Sequence, residues 1–325
     1  MSTPIVSVIM PVYNTAKYVE AAVESVLAQT FREFELLIVD DAGTDRSIEL
    51  CRTYDDPRIR IISQANRGLA GARNTGIRNA RGQFIALLDS DDLWAPEKLK
   101  KHVEHLLLSP EVGVSYAASK MMDDAGNLLR IVQRPKLFGV TAKDVFLRNP
   151  VGNGSAPVLR KAVFNDIAFV NTAREEPDYF DDTFRQSEDI ECWCRIALTT
   201  NWKFEGISDE LTVYRINEGG LSANVIKQFE TWSRVSERVA ELDPEFARTW
   251  SDQAEAYQKR YLARRSFRMG EGALAWSLMK QALSTCPKIL FQEPAKTLTT
   301  LAAAMVLRFQ PFGLDRSLRA LIGKA

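Results

Sequence analysis

The chain has 325 residues, 46% of them apolar and 26% charged, which excludes a disordered or fibrous protein and leaves room for one large core with a smaller appendage. Lysine plus arginine equals aspartate plus glutamate at 42 each, so no global field draws the molecule to nucleic acid, and any polyanion must be met locally. Cys51, Cys192, Cys194 and Cys286 lack zinc-knuckle spacing and read as reduced thiols; with no basic-then-apolar leader, this predicts a cytoplasmic protein.

The first third alternates two periodicities. "IVSVIMPV" is a short β-branched run, and "AKYVEAAVESVLAQTF" carries Val19, Ala22, Val23, Val26 and Leu27 at helical spacing, with Asn14 or Thr15 as its predicted cap. The pattern repeats as strand "FELLIVD", helix "DRSIELCRTY", strand "RIRIIS", helix "GLAGARNTGIRNA", strand "QFIALLD" and helix "PEKLKKHVEHLLLS", with Pro96 in the last helix's first turn. Such alternation predicts a parallel sheet covered on both faces, with ligands beyond the carboxyl ends of its strands. "PVYN", "DDAGTD", "NRGLAGARN" and "DSDD" each follow a strand, so one rim collects them.

From Gly113 the character changes. "VGVSYAASKMMDDAGNLLRIVQ" reads as two strands around an Asp-Ala-Gly-Asn turn, "TAKDVFLRN" and "SEDIECWCRIALTT" as helices, and "KFEGISDELTVYRI" as a strand. After about Val225 the strands stop, which divides the chain into residues 1–224 and a helical extension, 225–325. "AYQKRYLARRSFRMGEGALAWSLMKQALSTCP" resembles one tetratricopeptide-like hairpin; a single copy favours ordinary helix packing over a peptide-binding array. The final stretch is apolar and then basic, with Arg308, Arg316, Arg319 and Lys324. It suits an anionic membrane surface, or a terminal helix docked on its own protein, equally well.

"FIALLDSDDLW" places Asp89, Asp91 and Asp92 within four positions at a strand end. Close carboxylates repel, and a hard cation such as Mg²⁺ or Mn²⁺ takes this kind of ligand, often one or two carboxylates completed by substrate phosphates. A negative helix start would use one of the three. Asp40 and Asp41 end another strand, where a carboxylate can accept from a ribose hydroxyl or a uracil imide; Asp45 is accounted for by a turn and cap. Tyr13 offers a ring for a base to stack on, and Arg67 and Arg73 bracket a Gly-rich segment where guanidinium groups can pair with phosphate.

Together "VSVIMPVYN", "LLIVDDAGTD", "NRGLAGARNTG" and "FIALLDSDDLW", in this order and spacing, resemble the family 2 inverting glycosyltransferases. The resemblance covers roughly the first 220 residues. It implies the GT-A fold, a Rossmann-like central mixed sheet flanked by helices, and a nucleotide-sugar donor, usually a UDP-sugar. Carried over by position, Pro11 and Tyr13 line the base pocket, Asp41 meets the uracil, Asp40 shapes that pocket and Arg73 contacts the nucleotide. Asp89 to Asp91 become the DxD motif for ribose, metal and diphosphate. Some members use the last two acids of the tract, so Asp91 pairs with either Asp89 or Asp92.

Inversion requires a base that deprotonates the acceptor hydroxyl while metal and cations stabilise the departing diphosphate. The resemblance places it in the "ED" of "QSEDIECWCR", making Asp189 the base and Glu188 a donor or acceptor contact. "TVYRINEGGLS" resembles the family's YR segment, assigning Arg215 to diphosphate or structural contacts and Tyr214 to the core. A Gln-x-x-Arg-Trp motif and membrane-spanning helices are absent, which favours single-sugar transfer over polymerisation. The implied acceptor is a glycan or a lipid-linked sugar of bacterial surface polysaccharide synthesis, which would bring the protein to the inner face of the cytoplasmic membrane. Two rivals stand beside this reading. A Rossmann oxidoreductase would need G-x-G-x-x-G after the first strand, where it is missing. A non-catalytic interaction protein using its helical end remains open on the residues alone.

Overall fold

The computed structural model describes residues 3–172, 174–216 and 225–309. These fall into two compact units, 3–145 with 149–216, and Phe146–Arg148 with 225–309. The small loop expected after Arg215, and tail positions Arg316, Arg319 and Lys324, lie outside the described residues.

The first unit runs β1 (Val6–Val12), α1 (Val19–Leu27), β2 (Phe34–Asp40), α2 (Ser47–Cys51), β3 (Ile59–Ser63), α3 (Gly68–Asn79), β4 (Phe84–Leu87), β5 (Leu93–Trp94) and α4 (Lys98–Leu108). It continues with β6 (Val112–Met122), β7 (Leu128–Gln133), α5 (Ala142–Arg148, whose last three residues belong to the second unit), β8 (Val158–Arg160), α6 (Lys161–Ile167), β9 (Phe169–Asn171), β10 (Glu176–Asp178), α7 (Glu188–Thr199) and β11 (Lys203–Arg215). The sheet has the order β3-β2-β1-β4-β8-β6-β11-β5, with β7 hydrogen-bonded to β6.

β1 pairs in parallel with β2 and with β4, and every residue of β1 is buried, as a strand covered on both faces requires. β8 then runs antiparallel to both β4 and β6. The sheet is therefore mixed, and this is the GT-A arrangement. The reversal has a local effect: β4 leaves the rim where β8 arrives, so the loop 153–157 reaches the end of β4.

α3 lies on β1 because its sequence keeps small residues at the contact. A β-carbon at Gly76 would stand 2.3 Å from Cγ2 of Ile9, inside any tolerable packing distance. The predicted cap of α1 is corrected. Tyr18 is the residue before the helix and no side chain caps it. Asn14 instead adopts a left-handed backbone (φ 53°), and its Oδ1 accepts from the amides of Thr44 (2.7 Å) and Asp45 (3.3 Å). Those loop donors claim the oxygen that a cap would have offered. The Thr15 hydroxyl lies 2.9 Å from that of Ser90, joining the exit of β1 to the acidic tract.

The second unit contains α8 (Val225–Leu242), α9 (Pro244–Arg268), α10 (Gly272–Thr285), α11 (Ile289–Gln292) and α12 (Pro294–Phe309). Leu262, Ala263 and Phe267 of α9 share a core with Ala275, Leu278 and Met279 of α10 and with Ala303 and Ala304 of α12. Phe146 stacks on Trp232, ring centroids 6.1 Å apart. No helix of the described residues is long and apolar enough to cross a membrane.

Gly76→Ala should lower the stability of the sheet unit by about 1–3 kcal/mol through overpacking against Ile9. Urea unfolding should show a lower midpoint at unchanged slope.

Candidate active site

α3 carries Arg73 inward. Its guanidinium is almost wholly buried; Nη2 donates to Asp89 Oδ1 at 2.7 Å and Nη1 to Glu188 Oε1 at 2.8 Å. The charge lies 5.5 Å from the centre of the Phe180 ring. Burial alone would depress its pKa, but the charges of Asp89, Glu188 and Asp189 outweigh that and raise it, so the group stays cationic. Residues 16 and 115 positions away along the chain are thereby brought to one cation. Beside it, Asn74 accepts from the amides of Tyr179 and Phe180 and donates to the Phe180 carbonyl, fixing the segment that leads into α7.

The three acids after β4 separate into distinct environments. Asp89 is partly exposed, and its amide donates to the Ser155 hydroxyl at 2.9 Å. Asp91 is also partly exposed, and its carbonyl accepts from Arg215 Nε at 2.8 Å. Asp92 turns inward: Oδ2 accepts from the Ser155 hydroxyl at 2.6 Å and Oδ1 from the Arg215 amide at 2.8 Å. Burial first, then the Asp91 and Asp89 charges, holds its carboxyl well above the usual range. Ser155 therefore ties two of the acids together. Gly154 lets the same loop approach, since a β-carbon there would lie 2.2 Å from Arg73 Nη2 and 2.9 Å from Asp89 Oδ2.

At the start of α7, Ser187 takes a left-handed backbone (φ 62°) as the helix begins with Glu188 and Asp189. Such strain at a non-glycine residue persists only where the surroundings hold it. The Glu188 carboxyl is pushed up to about 7 by burial, opposed by Arg73 and reinforced by Asp189. The Asp189 pKa is also raised, chiefly by burial and further by Asp89, against the pull of Arg73. Asp189 remains partly exposed, its Oδ1 accepting from the Ile190 amide at 2.8 Å.

The residues of the expected base pocket lie around the exits of β1 and β2. Pro11 is buried and Tyr13 is 49% exposed. Asp40 is half-buried, accepting from the Ala42 amide and the Ser63 hydroxyl. Asp41 does not open to the rim. One carboxylate oxygen accepts from Gln64 Nε2 and the Arg67 amide, the other from the Gly68 amide, so the side chain holds the turn that starts α3. Arg67 lies 3.8 Å from Glu176. The Arg215 guanidinium also reaches the carbonyls of Asp123 and Asp124 and the Tyr18 ring. Its contacts are those of a structural clamp. Tyr214, expected in the core, is half-buried.

Sequence reasoning missed Ser155, Gly154, Phe180 and Asn74. "GNGS" is a Gly-rich break that marks a close backbone approach, but nothing in the local pattern says to what. Lys98 was missed as well. It is buried, and its Nζ donates to the Ala156 carbonyl at 2.7 Å and to the Thr212 hydroxyl at 3.1 Å, supporting the loop that carries Ser155. Among the described residues no three His, Cys, Asp or Glu side chains form a closed cation site. The partly exposed pair Asp89 and Asp91 nevertheless suits a hard divalent cation that completes its shell with phosphate oxygens.

The profile described as Glycosyl transferase family 2 matches residues 7–167. The chain belongs to glycosyltransferase family 2. It is 28% identical over 71% of its length to 84% of WfgD of Escherichia coli, named UDP-Glc:alpha-D-GlcNAc-diphosphoundecaprenol beta-1,3-glucosyltransferase. It spans about a third of another curated relative, which it matches at 34% identity. Staphylococcus aureus TarS 1-349, solved with UDP-GlcNAc, superimposes with a TM-score of 0.58 over 93% of this chain and 91% of that one, at 21% identity. The mannosyltransferase PcManGT of Pyrobaculum calidifontis, solved with GDP-Man and Mn²⁺, gives 0.59 over 96% and 89%, also at 21% identity. At such identities the two structures establish the fold of this glycosyltransferase and no more.

Lys98 gives a pH signature. Burial lowers its pKa from 10.5 to about 7, against the favourable charge of Asp92. A depressed lysine favours folding fully above its unfolded value, and that contribution is lost as pH falls toward the folded value. Relative to Lys98→Met, the wild type should therefore lose stability, on the order of a few kcal/mol, between pH 10.5 and 7 in urea unfolding.

Proposed function

We propose that this enzyme transfers a single sugar, with inversion, from a UDP-sugar to a hydroxyl of a glycan or lipid-linked acceptor. The observation that carries the proposal is the buried Arg73 bridge, which gathers the acid after β4 and the acid pair of α7 at one rim. The mixed sheet leaves that rim where ligands of such folds bind. WfgD supports the donor and acceptor classes by its name, and PcManGT supports a divalent metal by its bound Mn²⁺.

In this reading Asp189 is the general base. The acceptor oxygen attacks the anomeric carbon, the bond from that carbon to the diphosphate breaks, and the hydroxyl proton passes to the Asp189 carboxylate. A raised pKa makes a carboxylate a better proton acceptor near neutral pH. Glu188, bound to Arg73, orients the start of α7 and keeps its neighbour's surroundings negative. Asp89 and Asp91 would hold Mn²⁺ or Mg²⁺, whose positive charge would stabilise the leaving diphosphate. Asp92 is the buried strut beneath them. Tyr13, Pro11 and Asp40 form the wall of the base pocket, and Asp41 fixes its floor through the turn at Arg67 and Gly68. Arg73, expected at the nucleotide, is buried between Asp89 and Glu188 and in this reading supports the donor site from beneath by compensating both acid motifs. A lipid-linked acceptor would bring the enzyme to the inner membrane face, where the basic tail assists.

Asp189→Asn should lower kcat by at least about 100-fold while thermal shift still detects UDP-sugar binding; an unchanged kcat removes Asp189 as the base. In the wild type, kcat should rise with pH through an apparent pKa above the ordinary carboxylate range, because the ionised form accepts the proton. Asp91→Ala should abolish the extra stabilisation by a UDP-sugar that Mn²⁺ provides; full activity in that variant with saturating Mn²⁺ excludes the assigned metal site.

A further inference from the structure

The helical unit gathers five cations, three of them on one carboxylate. Arg260, Arg264 and Arg268 recur at four-residue spacing on α9, which places them in one row along the helix. Arg148, at the end of α5, and Lys296, in the first turn of α12, join them. Among the described residues the carboxylate paired with Arg148, Arg260 and Lys296 is Glu293. Its Oε2 forms an ion pair with Nη2 of Arg148 and accepts from Nη2 of Arg260, and its Oε1 accepts from Lys296 Nζ at 3.2 Å. Arg148 lies 3.7 Å over the Tyr257 ring and Arg260 5.0 Å from its centre. Arg264 and Arg268 form no hydrogen bond or ion pair with the described residues.

A fully solvated row of arginines would be unremarkable in energy, but here Arg260 is buried and Arg264 half-buried, while Arg268 and Lys296 remain exposed. The Arg260 side chain is 3% exposed, and the Glu293 side chain that compensates it is 24% exposed. Burial lowers the pKa of Arg260 to about 10, with Arg148 and Arg264 adding to the effect. Arg264 is lowered by burial, Arg268 and Arg148, and Lys296 by burial, Arg148, Arg260 and Arg264. The cations feel one another, and one carboxylate cannot neutralise them.

We propose that Arg148, Arg260, Arg264 and Lys296 form a binding site for a phosphate or diphosphate group. Guanidinium groups match phosphate oxygens in bidentate fashion, and such charge-assisted bonds are stronger than neutral ones. Glu293 acts as the internal stand-in for that anion, spacing the cations when no ligand is bound. The phosphate arrives either on a lipid headgroup or on a soluble phosphate ester. The inference is independent of the sugar-transfer reading, because no residue of the candidate active site takes part.

The test uses the full chain and two probes. Pyrophosphate binding is measured calorimetrically against sodium chloride at equal ionic strength, and vesicle recovery is compared between phosphatidylcholine alone and phosphatidylcholine mixed with phosphatidylglycerol. The wild type should bind pyrophosphate, or prefer the anionic vesicles, and the Arg264→Gln/Lys296→Gln double variant should bind at least tenfold more weakly with an unchanged circular dichroism spectrum. Glu293→Gln should tighten binding, since it removes the competing carboxylate. Pyrophosphate binding without vesicle preference assigns the site to soluble esters; preference for anionic vesicles assigns it to lipid headgroups. Binding no better than chloride together with no vesicle preference, or a folded double variant that binds like the wild type, overturns the site. UDP-sugar binding, followed in parallel by thermal shift, should be the same in all these proteins, which separates failure of this site from failure of the transferase reading.

Discussion

A buried guanidinium persists only if its surroundings hold compensating charge, and breaking one side of such an arrangement commonly costs about 3–5 kcal/mol. Arg73 meets that requirement with Asp89 and Glu188 together. The constraint reaches outward from there. α3 must lie close enough to β1 to deliver the arginine, which Gly76 permits, and the 153–157 loop must leave it room, which Gly154 permits. Asn74, one residue on, ties down the chain entering α7. The two acid motifs of the candidate site are therefore held in place by the same helix.

Both acidic pairs at the rim divide their labour alike. In Asp40-Asp41 and in Asp91-Asp92 the first acid stays partly exposed, while the second is buried with both oxygens bonded. At Asp40-Asp41 this continues the side-to-side alternation of β2, whereas Asp91 lies in a turn closed by the Asp92 amide on the Asp89 carbonyl, and Asp92 turns inward after it. The inward acids spend their charge on structure: Asp41 on the start of α3, Asp92 on Ser155 and on β11. This also bears on the choice of metal pair that the acidic tract left open. Asp92 has no oxygen at the rim, whereas Asp89 and Asp91 are both partly exposed.

Local pattern carried much of this architecture. The strand and helix alternation through α4, the β6–β7 hairpin, α7 and the long β11 all follow from periodicity, because each buries a face whose spacing is visible in a short window. The three-residue strands β8, β9 and β10 did not, since their identity comes from pairing rather than from pattern. The site divides similarly. Its acids were readable as charge at strand ends. Their partners were not: Ser155 lies 63 residues from Asp92 and Glu188 115 from Arg73, and Asn14 looked like a helix cap until loop amides claimed it. The hairpin pattern of α9 and α10 gave no sign of the basic row on α9, which the burial of Arg260 against Glu293 distinguishes.

The reversed strand β8 bears on how the protein is made. A chain emerging from its amino terminus completes β1 to β4 and the acidic tract well before β8 exists to cover β4. During that interval β4 is an open edge, with unpaired amides and carbonyls that invite another chain to add a strand. Asp89, Asp91 and Asp92 stand at the end of that edge, still lacking Ser155 and Glu188. Asp89 has Arg73 of α3 beside it from the start, but Asp91 and Asp92 place like charges at the site where two nascent copies would otherwise join. The charges that the finished fold works to compensate thus guard the unfinished one against its neighbours.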